Sequence, residues 1–300
     1  MSLVLEQGRL RLELAPEAGG SIARFDWLGE GGAVALMRPA TAAGLAARDP
    51  LTMGSFPLVP WSGRIIGSRL ASPAGPRVLA LNHPGFTMPI HGLGWITPWE
   101  VVAAGASAAR LALGSGPLPT WPYAWQAQQE FRLEGDALTV EMTLTNEGPE
   151  PMPAGLGQHP YFPRTPQCRV RAALAGIWEV DRASMAPTVY APVDPARLPF
   201  ARGALVADLD LDNGFSGWAR TAEISWPEHG LALEITGSEP LSHVIVYTPP
   251  PEPYFCFEPV SQVPDAFSLA AAGHADTGAR VLAPGERFTV AMRFAARRAG

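Results

Sequence analysis

Phe131-Arg132-Leu133-Glu134-Gly135-Asp136-Ala137-Leu138-Thr139-Val140-Glu141-Met142-Thr143-Leu144 carries the clearest structural signal in the chain. Phe131 and Leu133 alternate with polar residues before a Glu134-Gly135-Asp136 turn. Leu138, Val140, Met142 and Leu144 alternate after it. A period of two puts these apolar side chains on one face of a strand. Two such runs joined by a tight glycine-containing turn predict a β-hairpin over residues 127–146.

The same pattern recurs on both sides. Residues 9–14 alternate as a half-buried strand, Ala18-Gly19-Gly20 turns the chain, and residues 21–27 read as the partner. Further strands are expected at 231–236, 243–248, 254–258 and 287–294. The best helix is short, residues 41–49, with Thr41 placed to cap it, Gly44 weakening it and Pro50 just past its end. No helical period runs for 15 residues. The chain holds 31 glycines and 32 prolines, about a fifth of its length against an average of roughly 12%. Many short strands between tight turns predict an all-β fold, a sandwich or barrel. No repeat or composition break divides the chain, so residues 1–300 are expected to form a single domain.

Composition excludes several chemistries. A net charge of −6 and a pI near 5.5 argue against a nucleic-acid surface, which is normally basic. All 22 basic residues are arginine, which removes Schiff-base catalysis and a standard phosphate-binding P-loop. Cys168 and Cys256 are far apart with no CxxC spacing, and two buried thiols are expected. The first residues lack a basic segment followed by an apolar one, and no run reaches 18 apolar residues. No membrane contact and a cytoplasmic location are the expectations.

Chemistry-bearing residues gather in loops rich in glycine, proline and aromatics. Tyr254-Phe255-Cys256-Phe257-Glu258-Pro259 places Tyr254, Cys256 and Glu258 on one strand face, with Phe255 and Phe257 on the other. Pro259 cannot donate a ladder bond, so the strand should end or bulge there. Burial at such a rim can raise a carboxyl toward the range of a general base. For one glutamate alone, an edge carboxylate facing water is the simpler reading.

Among six histidines, His83 fits a turn, His229 and His274 fit solvated loops, and His243 fits a satisfied core position. His91 and His159 sit in Gly/Pro/aromatic loops of the kind that carry binding residues. Arg64 lies between Trp61 and two isoleucines, an apolar setting in which a guanidinium needs a partner. Asp210 and Asp212 precede an Asn213-Gly214 turn signal and share a face by alternation, so only one of them need be functional.

In their order, Pro60-Trp61-Ser62-Gly63-Arg64-Ile65, His91-Gly92, Gln158-His159-Pro160-Tyr161-Phe162, Asp212 ahead of Phe215, and the late Glu258 resemble the aldose 1-epimerases, or galactose mutarotase-like proteins. The resemblance covers nearly the whole chain. It implies a large twisted antiparallel β-sandwich with a sugar in an open cleft. It further implies Glu258 as general base, His159 as general acid, and Arg64, His91 and Asp212 as sugar-binding residues, with no metal or organic cofactor. Trp61, Trp95 or Trp218 would offer an apolar surface to the sugar. Gly63 stands where the family usually has asparagine, so one polar contact is missing.

The reaction implied is interconversion of the α and β anomers of a free aldose such as galactose or glucose. Four other readings use the same residues. A hexose-phosphate epimerase would need clustered arginines, and Arg64 and Arg69 are close in sequence. A non-catalytic sugar-binding protein would share the fold. A metalloenzyme would use His91, His159 and Glu258. A glycosidase would use Asp212 and Glu258.

Overall fold

The structure, a computed structural model, describes residues 2–299. Strands make up 48% of it, and the described residues contain two α-helices, Ala42–Ala47 and Ala266–Ala271. The hairpin Trp125–Glu134 with Ala137–Asn146 pairs Phe131 with Val140 and Leu133 with Leu138. It lies inside an antiparallel sheet of nine strands, flanked by Ala108–Ser115 and Arg287–Arg298. A strand with neighbours on both edges has its backbone groups satisfied on both sides. This explains why the most regular alternation in the sequence falls here.

A second sheet of eight strands carries His243–Tyr247, Tyr254–Val260, Asp212–Ser216 and Gly157–Gln158 along its path. The inner faces of the two sheets share one apolar core. It includes Phe131, Leu133, Val140 and Met142 from the first sheet, with Val244, Val246, Phe255 and Phe257 from the second. Each such side chain taken fully out of water contributes about 1.5–3 kcal/mol. A four-stranded antiparallel sheet, in which Leu10–Ala15 pairs with Ser21–Gly29, adds Leu10, Leu12, Leu14 and Phe25 to that core. The fold is the twisted antiparallel β-sandwich expected from the sequence. Thr41 caps the first helix as expected, accepting from the Gly44 N–H at 3.0 Å.

Two expectations are corrected. The strand through Glu258 does not stop at Pro259 but runs to Val260. Ser261 N–H donates to Leu156 O at 2.8 Å, so by alternation position 259 would point its N–H to that same side. There the neighbouring strand is broken between Gly157, which pairs with Val260, and Tyr161, which pairs with Cys256. The missing donor of Pro259 therefore faces a gap in the ladder. Asp212-Asn213-Gly214 is not a turn but the start of a strand, Asp212–Ser216. The buried Asn213 amide donates to Trp178 O at 2.9 Å, so tertiary pairing overrides the local turn preference.

Candidate active site

The Tyr254–Val260 strand has two faces with different fates. Phe255 and Phe257 enter the core between the sheets, while Tyr254 and Glu258 line a cavity of about 240 Å³ on the outer face. Asp212, Ile245 and Tyr247 join them from the adjacent strands. The opposite wall comes from loops that supply Phe56, Gly63, Arg64, Phe86, Ile90 and His91. His159 and Tyr161 complete it. All five residues singled out from the sequence, Glu258, His159, Arg64, His91 and Asp212, thus line one cavity.

His159 sits in the break between the short strands Gly157–Gln158 and Tyr161–Pro163. Its N–H donates to Phe56 O at 2.9 Å. Its neighbour Gln158 points the other way, into the core, where the amide donates to Gln129 Oε1 at 2.8 Å and accepts from Ser55 Oγ at 2.9 Å. This satisfied buried amide fixes the loop from behind, as a fully bonded polar network does. The imidazole stacks on the Tyr161 ring and meets the Phe56 ring on another side, with centroids 4.7 and 4.5 Å away. Arg38 caps the stack, 3.8 Å above the Tyr161 ring, and is itself tied to Leu51 O and Met53 O.

His159 Nε2 lies 3.3 Å from Glu258 Oε1. Both groups are buried, at 7% and 1% exposure. Burial, reinforced by the Asp212 carboxylate and opposed by Arg64, raises the Glu258 carboxyl well above its ordinary range. Burial, with the Arg38 and Arg64 cations adding to it, lowers the His159 imidazole to about 3. Desolvation penalises the charged form of each. Both shifts favour the neutral forms, a carboxylic acid beside an imidazole with one proton between Oε1 and Nε2. Glu258 Oε2 and His159 Nδ1 are buried and make no hydrogen bond within the protein.

Arg64 reaches across the cavity to Asp212, with Nη2 and Oδ2 3.3 Å apart. Asp210, by contrast, is 62% exposed and pairs with Arg182, so of the two aspartates it is Asp212 that lines the cavity. His91 is held in the left-handed region at φ 60. Its N–H donates to Gly63 O at 2.9 Å. A non-glycine residue there carries strain of order 1–3 kcal/mol, which recurs at ligand sites. Burial, then the neighbouring His159 and Arg64, lower its imidazole well below 6.5.

The tryptophans expected to cover a sugar do not reach the cavity. Trp61 stacks on Trp121 and Trp218 packs edge-on against Phe257, both in the core, while Trp95 lies beneath Phe56. Apolar surface is supplied instead by Phe86, Ile245, Tyr247 and Tyr254. Tyr247 and Ile245 were legible in principle, because alternation in His243–Tyr247 puts both on one face. His243 is a satisfied core residue, bonded to Ser242 Oγ and Asp276 O. His83 accepts from Gly85 N–H within its turn.

Donor atoms of His159, Cys256 and Glu258 lie within 4.8 Å of one another. This is not the two-histidine set considered from the sequence, since Cys256 takes the place of His91. Burial pushes the Cys256 thiol well above its ordinary value, which disfavours the thiolate a metal needs. Both cysteines are free and buried.

The twisted antiparallel sandwich is galactose mutarotase-like in fold. The chain belongs to the aldose 1-epimerase family, whose model matches residues 1–295. It is 30% identical over 295 residues to the uncharacterized Escherichia coli (strain K12) protein YphB, with 96% of each covered. Its fold matches a solved Escherichia coli K12 protein provisionally described as an aldose 1-epimerase, with a TM-score of 0.87, 28% identity and 99% of each chain covered. A galactose mutarotase-like protein of Clostridium acetobutylicum shares the fold at a TM-score of 0.84 and 17% identity, covering 99% of this chain and 95% of that one.

Proposed function

We propose that the protein is an aldose 1-epimerase that interconverts the α and β anomers of a free, uncharged aldohexose of the galactose or glucose type. The observation that carries this reading is the Glu258–His159 contact of 3.3 Å at the cavity floor. Ring opening needs a proton taken from the anomeric hydroxyl and a proton delivered to the ring oxygen as the bond from C1 to that oxygen breaks. The open aldehyde turns about C1–C2. Closure returns both protons, with the two groups in exchanged roles. A pair that holds one proton between two sites does this without net proton uptake. Glu258 serves as base once the shared proton has crossed to His159, which then serves as acid. Each positioned group contributes roughly 10²–10⁴-fold.

Arg64, His91 and Asp212 are proposed to hold the ring hydroxyls. Arg64 offers donors, Asp212 acceptors, and a neutral His91 one of each. The buried phenol of Tyr161, raised well above 10, stays protonated.

The charge of the cavity favours a neutral sugar over a hexose phosphate. Arg64 is already balanced by Asp212, Arg38 is occupied by two carbonyls, and Arg69 is exposed and outside the cavity wall. No second free cation lines the wall among the described residues. Anomer exchange followed by NMR with galactose, glucose and their 6-phosphates tests the reading. Faster exchange of the free sugars supports it, and faster exchange of a phosphate would overturn the substrate class. No catalysed exchange with any of them would leave a sugar-binding protein.

A further inference from the structure

The segment that leaves the Glu258 strand, residues 261–279, is tied at its base. Val263 N–H donates to Thr277 O at 3.0 Å, and His243 Nε2 meets Asp276 O at 3.0 Å. From this fixed loop Pro264 enters the cavity wall as a wedge. A Cβ at Gly63 would stand 3.0 Å from Pro264 Cα, and one at Gly214 would stand 3.0 Å from its Cδ. Gly63 immediately precedes Arg64, and Gly214 lies two residues after Asp212. The proline ring therefore fills the space between the two chain segments whose side chains form the ion pair. At Gly63, left-handed at φ +68, any side chain would press on Pro264.

Asp265 follows the wedge and is itself left-handed, at φ 55 and ψ 25. Its N–H donates to Arg64 O at 2.9 Å. Its Oδ1 accepts from Ile66 N–H at 3.2 Å and from Ser268 Oγ at 2.9 Å. The backbone is thus gripped at residue 64 and again at residue 66. Burial pushes the Asp265 carboxyl up to about 6 against the pull of these two hydrogen bonds. Its ionised form is therefore disfavoured in place, and its backbone is one that L-residues rarely adopt. Such features persist where surrounding structure over-determines them, commonly at ligand sites.

We infer that Asp265 is a positioning residue for substrate binding, which sets the reach of Arg64 toward the sugar by clasping the backbone at the Arg64 carbonyl and again at the Ile66 N–H. It touches neither the reacting atoms nor Glu258 or His159. The inference rests on the proposed sugar site, and it concerns affinity rather than chemistry. Holding a contact residue in productive geometry is what such supporting bonds supply.

The experiment compares Asp265→Ala, Asp265→Asn and Ser268→Ala with the unmutated protein, using anomer-exchange kinetics on galactose and glucose and NMR titration of the same sugars. Asp265→Ala is expected to raise KM roughly 10-fold, on the scale of one hydrogen bond to a charged group, with kcat within about 2-fold. Asp265→Asn keeps an oxygen that accepts the same two bonds and should return KM to within about 3-fold. Unchanged KM in Asp265→Ala, an equal fall in kcat, or no rescue by asparagine would overturn the inference. Should Asp265→Ala fail to fold, Ser268→Ala decides: a KM rise of about 2–3-fold upholds the inference, and none overturns it. If the unmutated protein catalyses no exchange, the proposed reaction fails. The dissociation constants then test Asp265 alone, by the same pattern across the three variants.

Discussion

Glu258 Oε1 and His159 Nε2 face each other across 3.3 Å with both side chains almost wholly out of solvent. Each is displaced toward its neutral form, Glu258 upward and His159 downward.

The pair is competent while it holds one proton. A second proton is added only near pH 3, where His159 titrates, and the remaining one is lost above the raised Glu258 value. The pH profile of kcat/KM should show a broad plateau reaching well below pH 6.5 before any acid limb. An acid limb near the ordinary histidine value, measured with acid stability checked in parallel, would show that His159 is not held neutral.

Burying Glu258 has a stability consequence whose sign is fixed. A carboxyl raised in the folded state binds its proton more tightly there than in the unfolded chain. Its contribution is present below the ordinary value near 4.5 and is lost as pH rises toward the folded value. Glu258→Gln removes that loss. Thermal unfolding of the variant is expected to exceed that of the unmutated protein at pH 8, by roughly 2–4 °C per kcal/mol recovered, with the gap closing toward pH 4.5. A gap that widens on acidification would contradict the assignment.

Asp212→Asn removes the charge that raises Glu258 and frees Arg64, which lowers it. Both changes act in one direction, so the alkaline limb of activity should move to lower pH. KM should rise roughly 10-fold with the loss of a charged partner. A limb that stays put would separate Asp212 from the proton pair.

Much of this site was legible in the sequence because each residue sits where local chemistry is unusual. His159 lies between Gly/Pro-rich strand breaks, Arg64 follows paired prolines, and Glu258 ends an alternating aromatic run. Period two alone put Glu258 on one strand face with Tyr254, opposite Phe255 and Phe257. Three things were not legible. Pro259 is tolerated in mid-strand only because residues 158–160, distant in sequence, leave a gap beside it. The turn signal Asp212-Asn213-Gly214 becomes a strand because Asn213 finds a buried carbonyl and Gly214 backs onto Pro264. Arg38 and Asp265 act through long-range stacking and clasping, which no local pattern announces.

Activity should not depend on a metal. The one clustered donor set among the described residues includes a buried thiol pushed away from ionisation. Exhaustive chelation is expected to leave anomer exchange unchanged. Its abolition, with recovery on adding a divalent cation, would replace the acid/base account with a metal-assisted one.

The most direct measurement is anomer exchange of galactose and glucose by NMR, corrected for the buffer-catalysed rate, in the unmutated protein and in Glu258→Gln. The amide keeps the shape and hydrogen-bonding capacity of the carboxyl but cannot carry the proton. Catalysed exchange should be present in the unmutated protein and fall roughly 10²–10⁴-fold in the variant, while NMR titration shows sugar binding little changed. Weaker binding with turnover intact, or no catalysed exchange in either protein, would contradict the assignment of Glu258 and His159 as the pair that opens the ring.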